Sequence, residues 1–331
     1  MHPVERPRGP RRLIRALLGW CLVLFGVFVF SLAALGEWTD FFRPAPAQSY
    51  TGSDRLDANL VRAAHDLKSL LQSVRDESGG RFDQMAAPDK MRLLHDAVCR
   101  RFLHSVDAPY TMKSNWIYGI LNHAVAPFTS WRQGYFDPDM LLRYSDRAVC
   151  SQQSYVLVCL ARLANIESRH VALEGHVIMG AWYENNWHMY DPDLEATAAQ
   201  DPNSDEGSRE LSKHPERLEK IYKDKLRPEV LPAIFDRSKI TIVAQPPGAY
   251  WHWKGYLSIR LEKFVYYLKF ILPPLICLAG LLFIRSSRHV GRCRCPMCRS
   301  GCCPGCANRL SDGAATSMTR GDSRKEAVAM R

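Results

Sequence analysis

Two long apolar stretches constrain this chain more than any other feature. The first runs for 21 residues from Ala16 to Gly36, and the second runs for 21 residues from Phe264 to Ile284. A helix needs about 20 apolar residues to cross the hydrocarbon core of a bilayer. The second stretch contains one charge, Lys269, close enough to one end for its ammonium group to reach the membrane interface. We therefore predict transmembrane helices at residues 16–36 and 264–284, and the membrane as a partner of the chain.

The first stretch has one rival interpretation, a cleaved signal peptide. Ser31-Leu32-Ala33 has the small-x-small pattern that precedes a cleavage site. The apolar region of such a signal usually spans about 7–15 residues, and this one is longer. The length of this apolar stretch favours a helix that is not cleaved and remains as a membrane anchor.

The distribution of charge indicates on which side of the membrane each part lies. The net charge is +10, and the excess of Arg and Lys lies in residues 1–15 and in the segment after residue 284. Because basic residues flank the cytoplasmic ends of membrane helices, we predict that both termini are cytoplasmic. Residues 37–262 would then be extracytoplasmic, which is the periplasm in a bacterial source. This middle region carries slightly more acidic than basic side chains, so we predict no nucleic-acid partner for it.

The region between the predicted spans has the pattern of one folded domain. Residues 37–55 are typical of a linker, because they combine prolines and small residues without an apolar face. Residues 56–262 are predicted to form the domain, with helices first and strands later, which favours an α+β fold. The predicted helices are Leu56–Val74, Lys90–Phe102, Ala148–Asn165 and a charged surface helix at Leu211–Leu226. The predicted strands are Arg169–Leu173, Val177–Tyr183 and Trp187–Asp191, and Ala108–Tyr144 is predicted to be irregular.

Cys150 has the most distinctive setting of the three cysteines in this domain. It lies at the expected start of the helix Ser151–Asn165, where unpaired amide groups and the positive end of the helix dipole stabilise a thiolate. Cys159 lies in the middle of the same helix between apolar residues, and we interpret it and Cys99 as buried fillers. An odd, sparse set of cysteines does not indicate a disulfide framework.

His176 and Asp191 are the candidates for the base and its orienting group that a thiolate nucleophile needs. His176 opens one predicted strand and Asp191 ends the next. Two residues on the same face of an antiparallel hairpin with an even loop differ by an odd number, as these two do. A turn centred between Tyr183 and Glu184 would place them directly opposite each other. A turn on Asn185-Asn186 would keep them on one face but slide them apart by four residues.

Three motifs together resemble the transglutaminase-like superfamily, which has a papain-like cysteine fold. They are Val149-Cys150-Ser151-Gln152-Gln153-Ser154, Glu174-Gly175-His176-Val177 and Asn186-Trp187-His188-Met189-Tyr190-Asp191-Pro192. The resemblance covers about residues 144–193. It implies that Cys150 is the nucleophile, that His176 is the general base and acid, and that Asp191 holds the imidazole. Many members have a small residue before the Cys, where this chain has Val149.

The resemblance implies acyl transfer from an amide or peptide substrate on the non-cytoplasmic side. Transfer to water would make the protein a peptidase or amidase, and transfer to an amine would make it a cross-linking enzyme. The competing hypothesis is an inactive scaffold or sensor that retains the fold. Four upstream residues are candidates for the oxyanion donor: Asn115, Trp116, Trp131 and Gln133. His170 and His188 are interpreted as structural or surface groups.

The C-terminal segment has a pattern typical of a metal site. Cys295-Pro-Met-Cys298 and Cys303-Pro-Gly-Cys306 are two CPxC turns, and each turn can direct two thiolates at one ion. We predict that residues 285–310 form a tail that binds a structural zinc ion through Cys295, Cys298, Cys303 and Cys306. Lipidation of these cysteines and another metal or redox use are the alternatives. Residues 311–331 are predicted to be disordered.

Overall fold

The structure, a computed structural model, describes most of the chain between residues 10 and 289. The described residues are 10–38, 55–104, 110–112, 114–125, 134–173, 175–197, 241–243 and 253–289. They fall into two compact units. One unit comprises residues 24–277, and the other comprises residues 1–23 with 278–331, of which 10–23 and 278–289 are described. The predicted linker, surface helix and cysteine-rich tail lie mostly or wholly outside the described residues.

Two long helices contain the predicted membrane spans. Helix α1 covers Pro10–Trp38 and helix α8 covers Trp253–His289. Over Arg12–Glu37 and Leu257–Ser287 they are long and apolar enough, by length and composition, to cross a membrane. The chain is therefore consistent with a membrane location. Helix α8 continues through Pro273 and Pro274, although each proline removes one backbone hydrogen bond.

The remaining described elements form an α+β arrangement, as predicted. The helices are α2 (Ala58–Ala63), α3 (Leu67–Glu77), α4 (Ala87–Arg101), α5 (Trp116–Val125), α6 (Pro138–Tyr144) and α7 (Cys150–Leu163), with a short 3-10 turn at Phe82–Gln84. The strands are β1 (Leu103–His104), β2 (Arg147–Ala148), β3 (Glu167–Ala172), β4 (Val177–Tyr183), β5 (Asn186–Asp191), β6 (Ala196–Thr197) and β7 (Thr241–Val243).

The strands form two sheets, and the larger one supports helix α7. Strands β1 and β2 pair in parallel, whereas the order β6-β5-β4-β3-β7 is antiparallel throughout. Helix α7 packs on β3 and β4 through an apolar face and on α4 through another. The buried residues of α7 include Val156, Leu157 and Leu160, each with no exposed surface. Burial on both sides explains why this helix is apolar through most of its length.

Two sequence predictions about helices were wrong. Instead of one helix from Leu56 to Val74, the chain breaks after α2, because Asp66 accepts a hydrogen bond from the Ser69 amide and starts a new helix there. The segment predicted to be irregular, Ala108–Tyr144, contains α5 and α6. Helix α5 escaped prediction because its sequence is apolar nearly all round rather than on one face.

Small residues bring the two long helices close together within each unit. In the smaller unit, a Cβ atom built on Gly19 would lie 2.7 Å from the Gly280 carbonyl oxygen. In the larger unit, a Cβ on Gly26 would lie 2.8 Å from the Pro273 carbonyl oxygen. Side chains at Gly19 and Gly26 would therefore collide with the facing backbone. Close contact through glycine is typical of helices that pack in a membrane.

The first residues of helix α5 pack against both long helices. The Asn115 side-chain oxygen accepts a hydrogen bond from the Ile117 amide and caps the helix. The Trp116 indole N–H donates to the Lys269 carbonyl oxygen at 3.0 Å. In an unbroken helix this carbonyl would accept from residue 273, which is a proline without an N–H group. Trp116 thus satisfies an acceptor that Pro273 leaves without its usual donor.

The sequence suggested that Lys269 would reach outward to the membrane interface. In the structure its side chain points into the protein instead. Its side chain is 1% exposed, and its ammonium group donates to Glu37 Oε1 at 2.7 Å, to the Ser114 carbonyl oxygen at 3.1 Å and to the Tyr144 hydroxyl at 2.9 Å. Glu37, predicted to lie in a linker, is part of α1 and also accepts hydrogen bonds from Arg143 and Tyr266. The two charges are paired inside the protein.

We expect Trp116→Phe to destabilise the protein by about 1 kcal/mol, because the Lys269 carbonyl would lose its donor in a buried site. This corresponds to a fall of about 2–4 °C in the melting temperature of the full chain in detergent micelles. Trp182→Phe is the matched control, because the Trp182 side chain is exposed. An equal melting temperature for Trp116→Phe and wild type would contradict the role assigned to this hydrogen bond.

Candidate active site

Cys150 is the first residue of α7, as predicted. The amide groups of the first helical turn have no acceptor within the helix, so they create a positive potential around the thiol. Gln152 fixes this turn, because its Oε1 accepts a hydrogen bond from the Val149 amide at 3.1 Å and its Nε2 donates to the Tyr135 carbonyl oxygen at 2.8 Å. The thiol is partly exposed and lies at a rigid helix start.

The segment that leads into Cys150 is held by a buried arginine. Arg101, at the end of α4, is 1% exposed. Its guanidinium group donates to the carbonyl oxygens of Ala64, Leu142 and Ser145, which belong to the ends of α2 and α6. Such terminal carbonyls have no partner within their own helices. Arg101 therefore fixes where α6 ends and where the chain turns towards β2 and Cys150.

His176 and Asp191 are joined by the β4–β5 hairpin, but in neither of the two predicted registers. The turn consists of Glu184 and Asn185, whose φ angles of 53° and 60° lie in the left-handed region, and Tyr183 pairs with Asn186. Positive φ angles at both central residues are typical of the type I′ turn, a two-residue turn that commonly joins the strands of a hairpin. His176 and Asp191 therefore lie two positions away from being opposite. The prediction that they share one face is confirmed by their contact.

A short hydrogen bond links the imidazole to the carboxylate. His176 Nε2 lies 2.7 Å from Asp191 Oδ2, the His176 side chain is 9% exposed and the Asp191 side chain is fully buried. Burial by itself lowers the pKa of His176, but the charge and hydrogen bond of Asp191, with a smaller effect of Cys150, raise that pKa to about 11. The imidazole is therefore held in its protonated form.

The three predicted catalytic residues are brought together. The Cys150 Sγ atom and a ring nitrogen of His176 lie within 4.8 Å of each other. Because Nε2 of His176 is bonded to Asp191, Nδ1 is the nitrogen that can exchange a proton with the thiol. A thiol beside an imidazole that is oriented by a carboxylate has the composition and order of a nucleophile, its base and an orienting group.

Asp193 is a fourth residue at this site, which the sequence analysis did not identify. Its side chain is 1% exposed and one oxygen lies within 4.8 Å of both Cys150 Sγ and a His176 ring nitrogen. Asp193 Oδ1 accepts a hydrogen bond from Gln153 Nε2 at 2.7 Å and lies 2.7 Å from His104 Nδ1. Burial raises the pKa of Asp193, whereas its bond with His104 lowers it.

A signal for Asp193 was present in the sequence. It lies two residues after Asp191 and, like Asp191, an odd number of residues after His176, so the same hairpin argument applies to it. His104 had no such signal, because it reaches the site through the pairing of β1 with β2, where His104 is the partner of Ala148. The site therefore contains two His–Asp pairs around one thiol.

The same atoms could hold a divalent ion. Cys150, His176 and Asp193 each offer one ligand atom, and these atoms lie within 4.8 Å of one another. Thiolate, imidazole and carboxylate are common ligands of zinc. An ion bound there would coordinate the Cys150 sulfur and so prevent it from acting as a nucleophile. The four tail cysteines predicted to bind zinc lie outside the described residues.

The proposed oxyanion donors do not converge on Cys150 as far as the structure describes them. Asn115 caps α5, and the Trp116 indole donates to Lys269. Trp131 and Gln133 lie outside the described residues. The backbone amides at the start of α7 are the donors that lie beside the thiol.

The other cysteines and histidines have structural surroundings. Cys99 is buried, as predicted, and burial raises the pKa of its thiol well above the usual range. Cys159, also predicted to be a buried filler, is partly exposed, although removal from water raises the pKa of its thiol to about 12. Neither thiol is thus ionised near neutral pH. His170 is fully buried, and burial lowers its pKa to about 3. The His188 ring stacks on the Tyr183 ring, with a centroid distance of 3.8 Å.

Comparison of the chain with known proteins identified no relative. No protein-family model matches it, and neither the curated proteins nor the solved structures gave a match. The functional interpretation therefore depends on the residues and geometry described above.

We expect His176 to remain protonated between pH 6 and 9 in the wild-type protein, because Asp191 stabilises the imidazolium ion. Asp191→Asn should lower the His176 pKa by several units, since burial then favours the neutral ring. The measurement is the 15N chemical shift of histidine in the labelled full chain, with the His176 signal assigned by its loss in His176→Gln. A wild-type titration near the ordinary value of about 6.5 would contradict the proposed pairing.

Asp193 and His104 should shift the reactivity of Cys150 in opposite directions. Asp193→Asn removes a buried negative charge beside the thiolate, so the pH midpoint of Cys150 alkylation should fall by up to about one unit. His104→Gln keeps a hydrogen-bond donor to Asp193 but removes the imidazole, which offsets the Asp193 charge when it is protonated, so the midpoint should rise. Asp83→Asn is the control, because Asp83 is exposed and paired with Arg75. Shifts of the same sign would refute this electrostatic account.

Proposed function

We propose that this chain is a membrane-anchored, transglutaminase-like cysteine enzyme that transfers the acyl group of an amide to water or to an amine. The observation that carries the proposal is the cluster of Cys150, at a helix start, with His176 and its hydrogen-bonded partner Asp191. Each of the three residues has a distinct chemical task in such a reaction. A histidine with a purely structural role would not require a partly exposed thiol beside it, as His176 has in Cys150.

The first half of the reaction forms a thioester. The Cys150 thiolate attacks the amide carbonyl carbon, and the new C–S bond places negative charge on the carbonyl oxygen. Backbone amides at the start of α7 stabilise this oxyanion. The His176 imidazolium then gives its proton to the leaving amine as the C–N bond breaks, which leaves a neutral imidazole and an acyl group on sulfur.

The second half releases the acyl group. The neutral His176 takes a proton from water or from an acceptor amine, whose oxygen or nitrogen attacks the thioester carbon. The C–S bond breaks and the thiolate returns beside the imidazolium, so charges and protons balance over the cycle. Asp191 keeps the ring oriented and stabilises the imidazolium in both halves. Water as acceptor gives a peptidase or amidase, and an amine gives a cross-linking enzyme.

The proposed setting is a membrane surface. The two long helices serve as spans with both termini in the cytoplasm, so the site would lie on the extracytoplasmic side, where it would meet an amide-bearing protein or peptide. The basic residues that flank the apolar stretches support this orientation. In the cytoplasm, where thiols stay reduced, Cys295, Cys298, Cys303 and Cys306 would bind a structural zinc ion.

Alkylation of the full chain by iodoacetamide tests the nucleophile directly. We expect Cys150 to react rapidly below pH 7, and His176→Gln to slow that reaction by at least about tenfold, because the thiolate loses its imidazolium partner. The reaction is followed at the Cys150 peptide by mass spectrometry, with a chelator present to remove any bound metal. Cys99 in the same molecule is the internal control, since its thiol is buried.

Hydroxylamine separates an enzyme from a reactive but inactive thiol. With a fluorogenic peptide amide as probe, an acyl-enzyme at Cys150 should release a hydroxamate, and Cys150→Ser should release none. Slow alkylation of Cys150, at the rate of an ordinary thiol, would refute the enzymatic proposal. In that case the domain would be a scaffold or sensor that retains the fold.

A further inference from the structure

Helix α5 has an exposed apolar face that the proposed reaction does not explain. Its sequence, Trp116–Val125, contains no Asp, Glu, Lys or Arg. Ile120 and Leu121 point outward with 39% and 38% of their surfaces exposed, and Ala124 and the polar His123 lie one turn further on the same side and are also exposed. A helix that presented this face to water would be expected to carry charged residues on it.

The depth of α5 is fixed by the long helices of the same unit. The Trp116 ring meets the Phe25 ring edge to face, with centroids 6.2 Å apart, and packs with Val29 and Ala33 in one buried cluster. Given the rise of 1.5 Å per helical residue, these α1 residues lie about 6–18 Å from Glu37 along the helix axis. If α1 spans a bilayer with Glu37 at the edge of the hydrocarbon core, which is about 30 Å thick, Val29 and Ala33 lie in the half of the core nearer to Glu37 and Phe25 lies close to its centre.

Helix α8 gives the same depth independently. The Trp116 indole is bonded to the backbone of Lys269, and the same cluster includes Leu272 and Ile276. Ile120 and Leu121 are four and five residues after Trp116, so they lie at most about 7.5 Å from its level. Phe28, which is 60% exposed, lies in the stretch of α1 between Phe25 and Val29, so α1 has exposed apolar surface at the level of Trp116.

We propose that α5 is embedded in the membrane, where Ile120 and Leu121 contact lipid acyl chains in the leaflet on the side of the catalytic domain. This inference rests on the proposed function only in assuming that α1 and α8 span the bilayer. A lipid is the occupant because the neighbouring surface of α1 would face lipid at the same depth. Two polar side chains of α5 have partners within the protein: Asn122 Nδ2 donates to the Tyr110 carbonyl oxygen at 3.0 Å, and His123 Nδ1 lies 2.7 Å from the Gly119 carbonyl oxygen.

Three tyrosine rings connect this lipid-contacting helix to the start of α7. Tyr118 of α5 stacks on Tyr110 with centroids 4.9 Å apart, and Tyr110 contacts Tyr135 at 4.2 Å. The Tyr135 carbonyl oxygen accepts the hydrogen bond of Gln152, two residues after Cys150. A helix held at a fixed depth would therefore hold the active site close to the membrane surface. The amide substrate would be one that is presented at that surface.

Photo-crosslinking to lipid tests the position of α5. Ile120, and separately Leu121, is replaced by p-benzoylphenylalanine in the full chain, which is placed in nanodiscs whose lipids have deuterated acyl chains. After irradiation, mass spectrometry identifies adducts to the acyl chains. The same replacement at Phe28 is the positive control. Replacement at Trp182 of β4, which is 37% exposed, is the matched control for a surface outside the membrane.

We expect adducts at positions 120 and 121 with a yield close to that at Phe28 and at least about tenfold above that at Trp182. Adducts at Phe28 but not at positions 120 and 121 would overturn the inference and leave the membrane anchor intact. Crosslinks from position 120 to a second copy of the chain would also overturn it, in favour of self-association. A lack of adducts at Phe28 would refute both the span assigned to α1 and the embedding of α5. The alkylation result for Cys150 is independent of all these outcomes.

Discussion

The ion pair between Glu37 and Lys269 is the interaction on which the arrangement of the larger unit depends. Removing two charges from water costs more than their mutual attraction returns, unless each charge has further polar partners. Each of these two charges has further polar partners. The Glu37 carboxylate also accepts hydrogen bonds from Arg143, Tyr144 and Tyr266. The Lys269 ammonium group also donates to the Ser114 carbonyl oxygen and to the Tyr144 hydroxyl. The cluster joins α1 and α8 to the end of α6 and to the loop before α5. Loss of one member would leave the opposite charge buried and alone, so these elements must be placed together.

The buried carboxylates of the candidate active site likewise depend on specific hydrogen-bond partners. Asp191 has one oxygen bonded to His176 and the other to the Leu194 amide, and its backbone carbonyl oxygen lies 3.2 Å from His95 Nε2. Asp193 is satisfied by Gln153 and His104. Two buried carboxylates two residues apart repel each other, and each is tolerated because it has its own cationic or donor group. The imidazolium of His176 thus offsets the charge of Asp191, and the side-chain amide of Gln153 and the ring of His104 satisfy Asp193.

The sequence predicted those parts of the site that depend on local pattern. Cys150 at a helix start, and His176 and Asp191 on one hairpin face, follow from helix and strand periodicity alone. The register was wrong because Glu184 and Asn185 form the turn with positive φ angles, which a sequence without glycine there does not indicate. Lys269 was misplaced because its partner, Glu37, is 232 residues away in the chain. His104 was missed for a similar reason, since strand β1 brings it to the site from a distant segment. Contacts between residues so far apart in the sequence do not produce a periodic pattern from which they could be predicted.

Helix α6 connects the two long helices to the segment that carries the Cys150 thiol. At its start, the buried Glu262 of α8 accepts hydrogen bonds from the amides of Phe136 and Asp137, at 3.1 and 2.6 Å. At its end, Arg143 and Tyr144 bond to Glu37 of α1. Both ends of a seven-residue helix are therefore fixed by carboxylates of the two long helices. Because β2 and Cys150 follow within six residues of Tyr144, with Arg101 fixing the turn between them, the thiol has little freedom to move relative to those helices. Under the proposed function, a site so fixed would act on substrates that come to it at one height above the membrane, and its specificity would depend on that height as well as on its chemistry.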